Sequence, residues 1–190
     1  MSIQTHFFVS HELQTKIGEI ENKLIGVSKE FFEIWREDIF LSLAWWFSLL
    51  LTIIPWFLWI KYRKKESSSR LLFAGFFVII ISSWLDFFGT MYGLWHYPSK
   101  ILPSMPPFIP YDFCILPVFA MFLIQYKIRI HVWVKAVIYG GINAFVGEPI
   151  LWMIHFYEPE HWRFFYSFPI YVIIYIMADW LSKRTSFAEL

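Results

Sequence analysis

The sequence predicts an all-α fold, a polytopic membrane helix bundle of about five transmembrane helices preceded by an amphipathic helix. Composition is the first reason: 58% of the 190 residues are apolar, 23% aromatic and only 16% charged, which would leave a soluble domain too little polar surface. The second is a series of apolar stretches that approach the roughly 20 residues needed to cross about 30 Å of hydrocarbon. The third is a heptad, with apolar residues at alternating four- and three-residue steps, ahead of the first stretch. The chain accordingly divides into an extracytoplasmic amphipathic segment (residues 1–38), a transmembrane bundle (39–182) and a cytoplasmic tail (183–190).

The heptad runs through Leu13, Ile17, Ile20, Leu24, Val27, Phe31 and Ile34, and Ile25 and Phe32 widen its stripe. Glu12, Glu19 and Glu33 line one flank without lysines across from them, which weakens a parallel coiled coil. Acids outnumber bases along the segment, so it does little to attract anionic lipid. Two expectations follow: the helix packs on its own bundle or lies at the interface, or residues 13–34 recruit a protein partner or a second copy. Residues 7–9 are too few for a signal-peptide core, so the first span is expected to direct insertion.

The expected spans are residues 39–60, 71–95, 112–126, 132–156 and 164–181. The third is short and carries Pro117. In the first, Trp45, Trp46, Trp56 and Trp59 read as interface anchors and lipid-facing packing. Orientation follows from the basic residues. Lys61, Arg63, Lys64, Lys65, Arg70, Lys127, Arg129, Lys135, Lys183 and Arg184 all belong to one side, whereas the opposite connections offer Lys100 and Arg163. The positive-inside rule then sets a cell-membrane protein with its amino terminus outside and its carboxyl terminus cytoplasmic. Lone Cys114 cannot form an intrachain disulfide and fixes no redox compartment.

Acids inside these stretches are functional-site candidates, because a carboxylate is costly in hydrocarbon. At about 1.5 Å per residue, Asp86 lies about 22 Å and Glu148 about 24 Å from the cytoplasmic ends of their spans. Asp112 opens the third span at the outer surface. Three carboxyl groups from three helices thus reach similar heights. Ser82, Asp86, Gly89 and Gly93 form a small, polar stripe, and Gly140 and Ala144 a second approach surface. Pro149 frees the carbonyl of Phe145, which a neutral Glu148 can satisfy. Asn143, Trp95, His96 and His155 are candidate ligand-binding neighbours, the histidines also as partners for the acids.

The same residues have plainer readings. Interhelical polar contacts are a normal part of membrane folds, so the acids can be neutral or paired packing devices. Burial, conversely, keeps a proton on a carboxyl group near neutral pH, as a proton donor requires. His155, Glu158, Glu160 and His161 are metal-like in composition only and read as the cap of a wet loop; no metal and no cofactor is expected. Ser167, Tyr171, Tyr175 and Asp179 form a stripe on the last span that reads as a packing face, with Asp179 paired to Lys183. Four prolines between residues 103 and 110 make the preceding connection a stiff loop suited to capping a cavity.

The stretch from Asp86 through Gly89, Gly93, Trp95, His96 and Tyr97, followed by Pro110, Tyr111, Asp112 and Phe113, resembles the membrane lycopene cyclase domain. That resemblance covers about a quarter of the chain and implies carotenoid binding and acid-promoted cyclisation. The chain departs from the pattern where the family's proline-led motif supplies glutamate, often doubled; here Asp112 is followed by Phe113. The whole chain also resembles a group of small multi-pass membrane proteins of Gram-positive spore-forming bacteria, which implies the architecture and no activity. The expected function is a noncatalytic assembly or partner-binding membrane component with a buried outer-leaflet acidic cluster. The alternative is an enzyme or carrier for a hydrophobic, isoprenoid-like molecule, with Glu148 or Asp86 as proton donor and Asp112 as modulator. Partners are therefore the lipid bilayer, a second copy or protein, and a hydrophobic small molecule; nothing marks a nucleic acid.

Overall fold

Apolar residues at heptad spacing and a serine ahead of them form the first element, α1 (His11–Ile34), in which the Ser10 side chain accepts the Leu13 N–H at 3.2 Å. The computed structural model describes residues 9–126 and 130–184. Lys127 and Arg129 of the basic set, and the tail beyond Arg184, lie outside the described residues. The chain separates into two units, Met1–Phe40 and Leu41–Leu190. Within the first, α1 buries none of its residues. It passes into a π-helical turn, Trp35–Ile39, where the Trp35 ring is covered by Phe32 and Phe40.

The second unit is a helix bundle. Its elements are α2 (Leu43–Tyr62), α3 (Ser68–Met91), β1 (Trp95–His96), α4 (Leu116–Gln125), α5 (Val132–Ile142), α6 (Glu148–Met153), β2 (Glu158–Pro159) and α7 (Phe164–Ser182). Four helical rods are long and apolar enough to cross a membrane among the described residues: Leu43–Tyr62, Lys65–Met91, Val132–Met153 and Phe164–Ser182. The expected third span is instead a shorter apolar helix, Pro110–Gln125. None of its residues is exposed. It runs through the middle of the unit with the other helices as its solvent.

Polar contacts gather the basic residues at one end of the bundle. The Gln125 side chain accepts the Lys64 N–H and donates to the Tyr62 carbonyl, both at 2.9 Å, joining the ends of α2 and α4. Lys135 reaches across from α5 and donates to the Leu123 and Tyr126 carbonyls, placing a cation on the orphan acceptors at the end of α4. Gly140 lets α5 approach Phe168 and Val172, and Tyr139 packs on Tyr175, so α5 and α7 run antiparallel. The expected Asp179–Lys183 pair is formed on the last turns of α7.

The opposite end carries a two-stranded antiparallel ladder, Trp95 opposite Pro159 and His96 opposite Glu158. Both rods that feed it stop in the same way. After α3, Gly93 sits at φ 65 and the Leu94 N–H returns to the Gly89 carbonyl; after α6, His155 sits at φ 56 and the Phe156 N–H returns to Leu151. Gly93 is therefore a helix terminator and not part of the stripe on α3. Trp95 likewise lies beyond the helix that residues 71–95 were expected to form. Between β1 and α4, the proline-rich loop folds inward: Tyr97 and Phe108 stack at 5.0 Å, and Lys100 donates to the Met105 and Pro106 carbonyls.

Pro117 explains the start of the central helix. Residues Pro110–Ile115 are π-helical, and proline has no N–H to return to either the Asp112 or the Phe113 carbonyl. Side chains from neighbours supply the missing donors: Ser82 of α3 donates to the Asp112 carbonyl at 3.2 Å, and Trp56 of α2 to the Phe113 carbonyl at 3.0 Å. The tryptophans of α2 consequently depart from the lipid-facing expectation. Trp45 donates to the Ile101 carbonyl, Trp59 is buried, and of the four Trp46 is the exposed one. Trp56→Phe should cost about 1–3 kcal/mol by leaving a buried carbonyl without a donor. In a Pro117→Ala background, where an N–H is restored, the same substitution should cost less, which thermal unfolding of the four proteins in detergent will measure.

Candidate functional site

Each of the three acids is placed by a different element. Asp86 lies on the buried face of α3 with Ser82 and Gly89. Gly89 leaves room for the Trp95 indole, since a Cβ there would fall 1.9 Å from the ring. The indole then donates to Asp86 Oδ1 at 3.0 Å, the Tyr97 hydroxyl to the same oxygen at 2.7 Å, and the Phe108 N–H to Oδ2 at 3.0 Å. Burial, then the nearby Asp86 charge, pushes the Tyr97 hydroxyl well above its ordinary pKa. It stays a neutral donor.

Asp112 lies four residues into the helix that Phe108 opens, and its Oδ2 reaches back to the Phe108 N–H at 3.1 Å, in the manner of a capping box. One amide hydrogen is thereby shared between Asp112 and Asp86. Glu148 follows the π-helical turn Asn143–Gly147. Its Oε1 accepts the Tyr171 hydroxyl at 2.7 Å and its Oε2 the Ser167 hydroxyl at 3.0 Å. Because the Trp162 indole donates to Ser167 Oγ at 2.8 Å, the serine hydrogen is directed at the carboxyl group. Glu148 thus turns to α7, and the expected bond to the Phe145 carbonyl is not among its partners.

Asp86, Asp112 and Glu148 line one cavity of about 180 Å³. Its walls are mainly aromatic and aliphatic, with Trp95, Tyr157, Trp162, Ile170 and Ile174 among them. Of the lining residues, Leu85, Phe88 and Tyr92 are exposed. Tyr157, also in the lining, is 4% exposed. Burial, then the charges of Glu148 and Asp86, raise its pKa, so it too remains protonated.

Of the other candidates, Trp95 lines the cavity while Asn143, His96 and His155 do not. Asn143 is occupied beneath it, accepting the Tyr111 hydroxyl and donating to the Tyr139 carbonyl. His96 and His155 face solvent beside Glu160 and Glu158, at 3.4 and 2.9 Å, and do not partner the buried acids. No group of side chains suited to holding a metal ion occurs among the described residues. Tyr157 and Trp162 went unmarked in the sequence because a loop has no periodicity to reveal its facing. Tyr171 and Ser167 were legible as a stripe but not as partners of Glu148.

No protein-family model, curated protein or solved structure matches the chain.

Asp86→Asn tests the anchor. An amide oxygen can replace Oδ1 for Trp95 and Tyr97, but the amide NH₂ then opposes the Phe108 N–H, so the substitution should destabilise by about 1–3 kcal/mol. Trp95→Phe should cost about 1 kcal/mol, since two donors remain. Thermal unfolding in detergent checks both, and an unchanged Asp86→Asn protein would remove the carboxyl group from its anchoring role.

Proposed function

We propose that the chain is an integral membrane protein whose acid-lined cavity holds a small amphipathic molecule with an apolar body and one neutral or cationic polar head. The convergence of Asp86, Asp112 and Glu148 on one cavity with mainly aromatic and aliphatic walls is the observation that carries this reading. Apolar walls with a few convergent polar groups are the usual make-up of a small-molecule site. Three acids around one space offer an anionic head no complementary charge, and the hydroxyl of Tyr157, which also lines the cavity, suits a neutral or cationic one. An isoprenoid-like molecule carrying a hydroxyl group meets these terms. Where the site also moves a proton, Glu148 is the candidate donor, since both of its partners, Ser167 and Tyr171, are hydroxyls able to pass a proton on.

In this reading the four long rods cross the bilayer, and the sheathed helix Pro110–Gln125 makes a fifth crossing of about 24 Å, completed by the folded proline loop. The end with Lys64, Lys65 and Lys135 faces the cytoplasm by the positive-inside rule, and the ladder end lies outside. A cysteine in place of Ser67 should then be labelled only from the cytoplasm and one in place of Ser104 only from outside, with Cys114 replaced. Reversed labelling overturns the orientation.

A second reading, assembly with a protein partner or another copy, rests on a separate observation, the apolar face of α1, none of whose residues is buried.

The cavity reading is tested by purifying the protein from its own membrane in mild detergent and analysing retained small molecules by mass spectrometry. The wild type should retain an apolar molecule, and Ile170→Trp, which fills the cavity, should lose it about tenfold with unfolding little changed. A wild type that retains nothing overturns the reading. Glu148→Gln, which keeps size and hydrogen bonding without the titratable proton, separates roles at this residue. Retained molecule with a lost cellular phenotype assigns it proton chemistry, and a normal phenotype leaves it a packing acid.

A further inference from the structure

The face of α1 has a charge pattern that selects both a partner and a direction. Its apolar seam alternates between the two core positions of a heptad: Ile17, Leu24 and Phe31 on one, and Leu13, Ile20, Val27 and Ile34 on the other. Apart from half-buried Phe31 these side chains are open to solvent; Leu24 is 60% and Val27 63% exposed. On one flank of the seam stand, at seven-residue steps, Lys16, Lys23, Glu30 and Glu37. The bases occupy the amino-terminal half of this flank and the acids the carboxyl-terminal half. The other flank carries Gln14, Glu21, Ser28 and Trp35 and is broadened by apolar Ile25 and Phe32.

We infer that α1 pairs antiparallel with α1 of a second copy of this chain. The inference rests on the assembly reading and gives it a partner and a register. In a parallel pair, each residue of the charged flank meets the opposite flank five residues on. Lys16 then finds Glu21, but Lys23 meets Ser28 and Glu30 meets Trp35. In an antiparallel pair the charged flank meets itself. With Leu24 of one copy against Val27 of the other, Ile17 falls against Ile34 and Phe31 against Ile20, so three layers form on either side of the twofold axis without a polar intruder. In that register Lys23 lies across from Glu30, and Lys16 from Glu37, each twice by symmetry. Sliding the pair by one heptad sets Lys23 against Lys23 and removes seam layers. One register satisfies both seam and flank.

The single chain leaves the central part of this pattern available. Lys23 and Glu30 form no ion pair among the described residues, whereas Lys16 and Glu37 hold local ones with Glu12 and Arg36. The π-helical turn at Trp35–Ile39 also displaces Glu37 from strict heptad phase, so the Lys23–Glu30 contacts carry the specificity. Lipid is the weaker occupant, because acids outnumber bases on the helix and an anionic surface repels it. A 24-residue helix makes a short coiled coil on its own. Tethering to membrane segments holds two copies at high effective concentration, which is where such a pair gains occupancy.

The experiment uses the full chain in native membranes with Cys114 replaced by Ala. Two differently tagged copies are co-expressed, one carrying Ile17→Cys and the other Ile34→Cys, and oxidised. Antiparallel pairing gives the mixed Ile17→Cys/Ile34→Cys disulfide and leaves like with like unlinked. Links of Ile17→Cys to itself and Ile34→Cys to itself mark a parallel pair, overturning the direction while keeping assembly. No link between copies, with either α1 shielded by lipid or crosslinked to another protein, overturns self-pairing; the second of these outcomes keeps the assembly reading. Charge variants complete the test. Lys23→Glu should lower the mixed link about tenfold, and Lys23→Glu with Glu30→Lys in the same chain should restore it. Failure of the exchange to restore the link overturns the register even where Lys23→Glu weakens it.

Discussion

The end of the bundle that holds the cavity depends on the cost of burying one carboxyl group. Asp86 is 6% exposed, and a carboxylate removed from water is stable only where donors replace its hydration. Those donors come from three places along the chain, the Trp95 and Tyr97 side chains and the Phe108 backbone. Satisfying the acid therefore closes the chain from β1 to the start of α4 around one point on α3. Gly89 is part of the same requirement, since the indole cannot reach Asp86 past a side chain at that position. From Phe108 the constraint passes on: Asp112 takes the same N–H, the central helix begins there, and Ser82 of α3 returns a hydrogen bond to its first free carbonyl.

The two π-helical turns of the bundle serve this geometry. The turn at Pro110–Ile115 lets a helix containing Pro117 continue while exposing two carbonyls to donors on α2 and α3. The turn at Asn143–Gly147 inserts an extra residue ahead of Glu148 and shifts its facing by about 100° relative to an unbroken α-helix. That shift brings the carboxyl group onto Ser167 and Tyr171. It also opens the backbone beside Gly147, where a Cβ would lie 2.5 Å from the Tyr111 hydroxyl. Tyr111 uses the space to reach the Asn143 carbonyl and side chain, so one turn orients Glu148 and ties α5 to the central helix.

The parts of the structure legible in sequence were those set by solvent. Composition and length gave the apolar rods, the heptad gave α1, and rise per residue put Asp86 and Glu148 at matching heights. What stayed hidden were directions decided by local hydrogen bonding. Trp56 reads as an interfacial residue until the missing N–H of Pro117 leaves a carbonyl for it. His96 and His155 read as partners for buried acids because sequence distance does not show that the ladder holds them in solvent. The stretch 112–126 has the composition of a span, but its solvent is protein: a run of apolar residues looks the same whether lipid or other helices surround it.

Satisfaction of the acids also shapes what the cavity can bind. Asp86 and Glu148 already accept hydrogen bonds from the protein, so a ligand that displaced Tyr97 or Tyr171 would have to supply donors of equal quality in a site with little water. The economical arrangement leaves these bonds intact. The acids then act by fixing the aromatic walls, with Tyr157 beside them in the cavity lining. Each buried carboxyl group thus has two consequences from one placement. It fastens segments that composition alone would leave sliding past one another, and it lines a space between them whose walls are mainly apolar.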